Sequence, residues 1–380
     1  MSEIYLVFVV FLFVLAVFDL MVGVSNDAVN FLNSAIGAKV AKFRTIIIVA
    51  AVGVFIGATM SNGMMEVARN GIFHPAMFSF KELMFIFLAV MISDVILLDI
   101  FNNLGLPTST TVSLVFELLG GTTAFVLLKL ANDATGLTVG DLMNTEKALG
   151  MIMAIFVSVA IAFFFGIVLQ YISRLVFTFT YKKNLKWKIG IFGGVATTAI
   201  FYFMLFKGIK SMSFVTPEIY EYIQNHTLVI LGICFLASTA IMQFLYFLKV
   251  NVFKILVLMG TFALAMAFAG NDLVNFIGVP MAGYSAFTDF AASGASDPST
   301  FMMSSLEGPA KSPMIFLVAA GAVMVFSLAT SKKAHNVIKT SVDLSRQSEG
   351  DEMFGSSKIA RVLVRFSNNT ANFFQDVVPD

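Results

Sequence analysis

The chain has 380 residues, 58% of them hydrophobic and 12% charged, with a net charge of +1 and a mean hydropathy of +0.89. Soluble domains carry about 25% charged residues, so folding as a water-soluble globule is excluded, and the balanced charge gives no bias toward nucleic acid. Cys234 is the lone cysteine and His74, His226 and His335 are far apart in sequence, which excludes an intrachain disulfide and a local Cys/His metal cluster.

A helix needs about 20 apolar residues to cross the hydrocarbon layer of a bilayer. In chain order, nine blocks qualify as candidates: 4–37, 45–64, 83–101, 107–128, 148–173, 189–206, 228–248, 255–283 and 313–330. The first has no Lys or Arg before Lys39 and is too long for a cleaved signal segment, so it is expected to be a retained span. The fourth, which opens at Pro107, reads equally as a crossing or a re-entrant hairpin. These features predict an all-α polytopic transmembrane protein with broken or re-entrant helices.

Basic residues concentrate in four connections: Lys39, Lys42 and Arg44; Arg174 with Lys182, Lys183, Lys186 and Lys188; Lys249 and Lys254; and Lys332, Lys333 and Lys339. Nine crossings from an outside N-terminus place all four inside, as the positive-inside rule requires. The connections 65–82, 129–147, 207–226 and 284–312 then fall outside.

The first and eighth blocks are overlong, and each contains the same polar element. Residues 26–31 read Asn-Asp-Ala-Val-Asn-Phe, and residues 271–276 read Asn-Asp-Leu-Val-Asn-Phe. The derived orientation runs the first copy inward and the second outward. Such an inverted-topology repeat encloses a site near the bilayer midplane and suits alternating access. Division of the chain follows: 1–178 as a first repeat, 179–249 as connecting spans, 250–340 as a second, incomplete repeat, and 341–380 as a polar cytoplasmic tail. The tail carries an amphipathic stretch around Lys358–Phe366, with Ile359, Val362, Leu363 and Phe366 on one face, expected to lie in the membrane interface.

Asp27 and Asp272 sit at the centres of their blocks, where a carboxylate costs about 2.5–3.5 kcal/mol on insertion scales. Such groups face a cavity or a partner. Asn26, Asn30 and Asn33 follow one helix face, and Asn271 and Asn275 repeat Asn26 and Asn30. Carboxylate and amide oxygens suit a hard cation such as sodium, and a carboxylate alone carries a proton; the competing reading is interhelical hydrogen bonding. The second constellation is Gly105-Leu-Pro-Thr-Ser-Thr-Thr111. With Pro107 at the first helical position, the following amides and hydroxyls offer an oxyanion site at the positive end of a helix; an ordinary helix cap is the alternative. Asp94, Asp99, Asp19 and Glu117 are further acids in or near the spans, either functional or paired. No Walker loop occurs, which argues against ATP as the driving force, and no catalytic nucleophile motif is present, so no enzymatic activity is expected.

These residues resemble a known family. Val24-Ser25-Asn26-Asp27-Ala28-Val29-Asn30 and Ala269-Gly270-Asn271-Asp272-Leu273-Val274-Asn275 are similar to the duplicated signature of the PiT inorganic phosphate transporters, and Gly105–Thr111 is similar to that family's Gly-x-Pro-x-Ser-Thr-Thr-His motif. The resemblance covers most of residues 1–340. It implies phosphate uptake coupled to sodium or protons, in a cell inner or plasma membrane, with no cofactor beyond the coupling ion. By that likeness phosphate would be held by Thr108, Ser109, Thr110 and Thr111 with Asn26 and Asn271. The cation would be held at Asp27, Asp272, Asn30 and Asn275, with Asp94 auxiliary. A homodimer is among the expected assemblies. Sulfate or another oxyanion is the alternative cargo, and an anion channel the alternative mode. Three departures stand out: Val112 replaces the family's His, Val24-Ser25 replaces its Gly-Ala pair, and no second Pro-x-Ser-Thr-Thr element follows Asn271-Asp272. The last leads to the expectation that the sequence stops short of that element.

Overall fold

The computed structural model describes residues 2–61, 67–132, 136–177, 185–208, 217–308, 312–344, 361–362, 364–366 and 368. Among them the chain forms twelve α-helices and no β-strand: α1 (Ser2–Gly37), α2 (Phe43–Met60), α3 (Phe80–Leu104), α4 (Thr110–Asn132), α5 (Val139–Leu142), α6 (Thr145–Val176), α7 (Lys188–Gly208), α8 (Pro217–Asn225), α9 (Thr227–Phe247), α10 (Val252–Ser293), α11 (Met314–Thr330) and α12 (Lys332–Leu344). Each of the nine apolar blocks coincides with one helix over most of its length. Seven of these helices are long and apolar enough to cross a membrane by themselves. The chain is a polytopic all-α membrane protein. It divides into a body, Met1–Ser341, and a C-terminal unit, Val342–Asp380. In that unit, residues 361–362 and 364–366 are helical with Val362 and Phe366 exposed; the rest of the expected amphipathic stretch, 358–360 and 363, lies outside the described residues, as do Lys182 and Lys183.

Side-chain pairings fix the helix directions. Along α1 and α10, Tyr5 meets Phe290, Phe13 meets Tyr284, and Phe31 meets Phe268. The partner number falls as the first rises, so the two motif helices run antiparallel. On α3, Phe80 and Phe85 meet Tyr5 and Phe8, so α3 runs parallel to α1. On α11, Phe316 meets Phe13 and Ser327 meets Met21, so α11 is parallel to α1 as well. These directions agree with an inverted arrangement of the two motif copies.

Sheer apolar character makes these segments helical, since in lipid each backbone N–H and C=O must be satisfied within its own segment. Where helices end, polar side chains take over. Ser79 and Glu82 form a capping box at the start of α3, and Asn144 and Asn251 accept from Lys147 and Lys254 amides at the starts of α6 and α10. Close packing relies on glycine: a Cβ on Gly53 would lie 2.6 Å from the Phe262 carbonyl oxygen, and one on Gly57 would overlap the Met266 carbonyl. The small-residue face of α2 thus lets the α10 backbone approach directly.

The connections segregate into two ends. At one end, the segments before α3, before α6 and after α10 knit together: His74 N–H donates to Leu142, Phe80 N–H to Phe301, Lys81 N–H to Pro298 and Met303 N–H to Phe78. The buried Arg69 guanidinium adds bonds to the Ser305 and Leu306 carbonyls. All three segments are ones that the charge pattern places outside. At the opposite end of α1, Phe43 packs edge-on against His335, and Asn33 reaches Ser341; these belong to connections assigned inside.

Two sequence expectations need correction. The Asn-Asp elements do not break their helices: α1 and α10 are continuous through them, because neither element contains Gly or Pro and the polar side chains find partners beside the helix. The sharp break in the fold is instead at Ser331, where α11 and α12 meet at 66°. Pro107 is not the first helical residue either. Helix α4 starts at Thr110, because the Ser109 hydroxyl accepts from Val112 N–H (3.3 Å) and the Ser109 carbonyl from Ser113 N–H (3.0 Å), making Ser109 the cap.

Candidate functional site

The turn between α3 and α4 is the structural centre of the site. Gly105 ends α3 with φ 68°, a left-handed conformation that costs glycine nothing. The amides of Gly105 and Leu106 return to the Asn102 and Phe101 carbonyls. The extended residues 106–109 then lead into α4, which runs back along α3, from Ser113 beside Asp94 to Lys129 beside Glu82. This antiparallel 23-residue helix is long enough to cross a bilayer at about 1.5 Å per residue.

Asn26 of α1 clasps that turn. Its Nδ2 donates to Asn102 Oδ1 (2.8 Å) and to the Leu106 carbonyl (3.0 Å), while its Oδ1 accepts from Thr108 N–H (2.7 Å). Asn102 in turn donates to the Val22 carbonyl (2.7 Å). Two of the three Asn26 bonds thus position 106–108 and the third joins Asn102 at the end of α3, and the side chain is fully buried.

One residue on, Asp27 points at the start of α4. Thr110 Oγ1 donates to Asp27 Oδ2 (3.3 Å), and Asn275 Nδ2 on α10 lies 3.2 Å from Thr110 Oγ1, 2.9 Å from Thr111 Oγ1 and 3.4 Å from Asp272 Oδ1. Asn271 Nδ2 also donates to Asp272 Oδ1 (3.1 Å). The two carboxylates are buried, at 5% and 7% exposure, and face each other electrostatically across Thr110. Three helices thus converge at one point: α1 with Asp27, the α4 N-terminus with its hydroxyls, and α10 with Asp272 and Asn275.

The predicted residues divide by surroundings. Asp27, Thr110, Asp272 and Asn275 form the buried core of the site, whereas Ser109, Thr111, Asn30 and Asn271 are exposed beside it, with Thr108 half-buried. Asn33 shares a helix face with Asn26 and Asn30 but meets Ser341 at another depth. Asp94 lies one turn beyond Thr110, fully buried, and accepts from the Ser113 hydroxyl at 2.6 Å. Asp99 is at the rim, paired with Lys333. Sequence reasoning missed Asn102, Ser113 and the serines that tie α1 to α11, where Ser25 donates to Ser331 (2.7 Å). An Asn pair closing an apolar block just ahead of Gly-Leu-Pro was the available signal for Asn102.

A negative ligand fits this chemistry. Thr110 and Thr111 open α4, so their amides have no acceptor one turn back, and the partial positive charge of the helix end sits there. The exposed hydroxyls of Ser109 and Thr111 lie beside them. Two cavities elsewhere do not fit an anion. One of about 500 Å³ is lined by Val195, Thr198, Leu231 and Phe235, and one of about 540 Å³ by Val52, Phe201, Met259 and Phe262; both are apolar and open laterally.

The fold is that of a multi-pass membrane carrier, with a compact polar cluster buried between two antiparallel motif helices. Residues 23–342 match the model of the phosphate transporter family, and the chain belongs to that family; it transports phosphate. Among solved structures it is similar to one described as "The sodium-dependent phosphate transporter", with 19% identity over 90% of this chain and 79% of that chain and a TM-score of 0.65, a likeness of fold. Comparison with curated proteins gave no match.

Proposed function

We propose that this protein is a secondary active transporter that brings inorganic phosphate across a plasma-type membrane together with sodium, by alternating access. The observation that carries the proposal is the continuous polar path from Asp27 through Thr110 and Asn275 to Asp272. Two buried carboxylates at this spacing repel each other and repel phosphate unless positive charge enters with the anion, because charges interact strongly where water is scarce. A hard cation held by oxygen ligands meets that need. The structural relative is itself described as sodium-dependent, which supports sodium as that cation.

In this reading Asp27 and Asp272 hold the cation with Asn30 and Asn275, and Asn271 orients Asp272. Phosphate is received by the α4 end: the amides of Thr110 and Thr111 and the hydroxyls of Ser109, Thr110 and Thr111. Thr108 and Asn26 hold the approach to that end in place. Because the two motif helices are antiparallel, a rigid-body movement about the site exposes it to opposite sides in turn. α6, whose apolar side chains are exposed over most of its length, is the surface that a second copy would cover in a homodimer.

Uptake of labelled phosphate into proteoliposomes, with and without an inward sodium gradient, tests the proposal. Wild-type protein is expected to accumulate phosphate only with the gradient, and Asp27→Asn or Asp272→Asn to abolish accumulation while still inserting. Unaltered sodium-driven uptake in either variant would overturn the coupling role of that aspartate. Competition by excess sulfate distinguishes phosphate from other tetrahedral oxyanions as the cargo.

A further inference from the structure

Beside the phosphate site lies a second group of acids, of which only Asp94 is expected to have any part, an auxiliary one, in cation coupling. Asp19 of α1, Asp94 of α3 and Glu117 of α4 converge around the Ser113 hydroxyl, which lies 2.6 Å from Asp94 Oδ1 and 3.0 Å from Glu117 Oε1. Asp19 and Asp94 are fully buried. Both oxygens of Asp19 are buried without a donor, as are Asp94 Oδ2 and Glu117 Oε2. Asp19 comes from a different helix, and its carboxyl is a neighbour of that of Asp94.

Hydrogen accounting decides what this group holds. A serine hydroxyl has one hydrogen, yet Ser113 touches two carboxyl oxygens. If it donates to Asp94, the contact with Glu117 is a hydrogen bond only when Glu117 presents an O–H. Asp19, buried with no donor on either oxygen, has nothing to offset a negative charge. Each unpaired buried charge costs several kcal/mol or more. The charged groups that bear on the three are one another and Asp27, with Asp272 behind it. The basic side chains paired along α3 are engaged elsewhere, Lys333 with Asp99 and Lys129 with Glu82. A metal ion is a poorer occupant: among the described residues no three His, Cys, Asp or Glu side chains are disposed to hold one, and the Ser113–Asp94 contact is a hydrogen bond with no space between its atoms.

We infer that Asp19, Asp94 and Glu117, bridged by Ser113, form a proton-binding site separate from the Asp27–Asp272 pair. It holds at least one proton at neutral pH, shared among the three carboxyls. Ser113 is one turn from Thr110, which bonds Asp27, so occupancy of the phosphate site and the proton count of this cluster are mechanically adjacent. That a proton also travels with phosphate rests on the transport reading; that the cluster binds one does not.

Infrared spectroscopy of the full chain in lipid nanodiscs reads the protonated carboxylic acid directly through its carbonyl stretch. The wild type is expected to show that band at neutral pH. The double variant Asp19→Asn/Glu117→Gln is expected to lose the part of it contributed by the cluster, because the two amides then supply the hydrogens that the shared proton provides. The single variants, Asp19→Asn and Glu117→Gln, are expected to weaken it and provide the comparison should the double variant not fold. Absence of the band in the wild type, or an unchanged band in the variants, overturns the assignment. Loss of sodium-dependent phosphate binding in the double variant with the band unchanged would assign the cluster to the metal ion instead. A band that behaves as expected in a protein that moves no phosphate leaves this site standing and removes the transport reading.

Discussion

The two Asn-Asp copies are nearly the same in sequence, sit in continuous helices and run antiparallel, yet their asparagines are used in opposite ways. In the first copy Asn26 is buried and clasps the α3–α4 turn, while Asn30 is exposed. In the second, Asn271 is exposed and donates to its neighbour Asp272, while Asn275 is buried against Thr110 and Thr111. The difference comes from the partner. One Pro-Thr-Ser-Thr-Thr turn lies between the two copies, and it meets the first at its leading Asn and the second at its trailing Asn. Sequence symmetry thus specifies which residue types reach the centre, and the single turn specifies which of them work as framework.

Charge tests this comparison most severely, because both copies keep their Asp buried in the same place. Asp27→Asn and Asp272→Asn are each expected to abolish cation-driven phosphate accumulation, measured as labelled uptake; loss in one copy alone would mean that only that copy carries coupling. Next in size is the clasp. Asn26→Ala removes three hydrogen bonds and leaves the Thr108 amide and the Asn102 side-chain oxygen wanting, at about 1–3 kcal/mol for each buried orphan. Phosphate affinity is expected to fall about 10- to 100-fold, at 1.4 kcal/mol per decade. Asn271→Ala is expected to change equilibrium binding less than about threefold, since a single local bond is worth about 1 kcal/mol or less. Equal effects of these two would break the comparison.

The trailing pair should invert that order at smaller amplitude. Asn275→Ala is expected to weaken phosphate binding about tenfold by freeing Thr110 and Thr111, with loss of a bond worth about 1 kcal/mol to each, and Asn30→Ala is expected to raise the apparent sodium requirement without that loss. Sodium titration of phosphate binding separates the two. The smallest effect belongs to the rim: Lys333→Ala breaks an ion pair whose side chains are 44% and 40% exposed, and such exposed pairs contribute about 0–1 kcal/mol. Thermal unfolding is expected to shift by only a few degrees, with uptake retained.

Much of this was legible in the sequence because lipid imposes simple rules. Apolar length marked each long helix, and the duplicated hexapeptide marked both motif helices and their opposed directions. Clustering of the expected outer segments followed from the placement of lysines. What could not be read were features set by neighbours rather than by the chain itself. Asn102 has no periodic signature, since its importance comes from Val22 and Asn26 lying beside it. The start of α4 shifted from Pro107 to Thr110 because a serine hydroxyl outcompeted a proline's preference. Asp19, Asp94 and Glu117 are 75 and 23 residues apart along the chain, and only the packing of α1, α3 and α4 reveals that they belong together.

Glycines 53 and 57 carry a mechanical consequence. At Gly53 and Gly57 the main chain of α2 rests directly on that of α10, and Ser61 adds a bond to the Gly270 carbonyl at 2.7 Å. A seam of that kind behaves as a weld. Movements of the chain are therefore expected to carry α2 and α10 together.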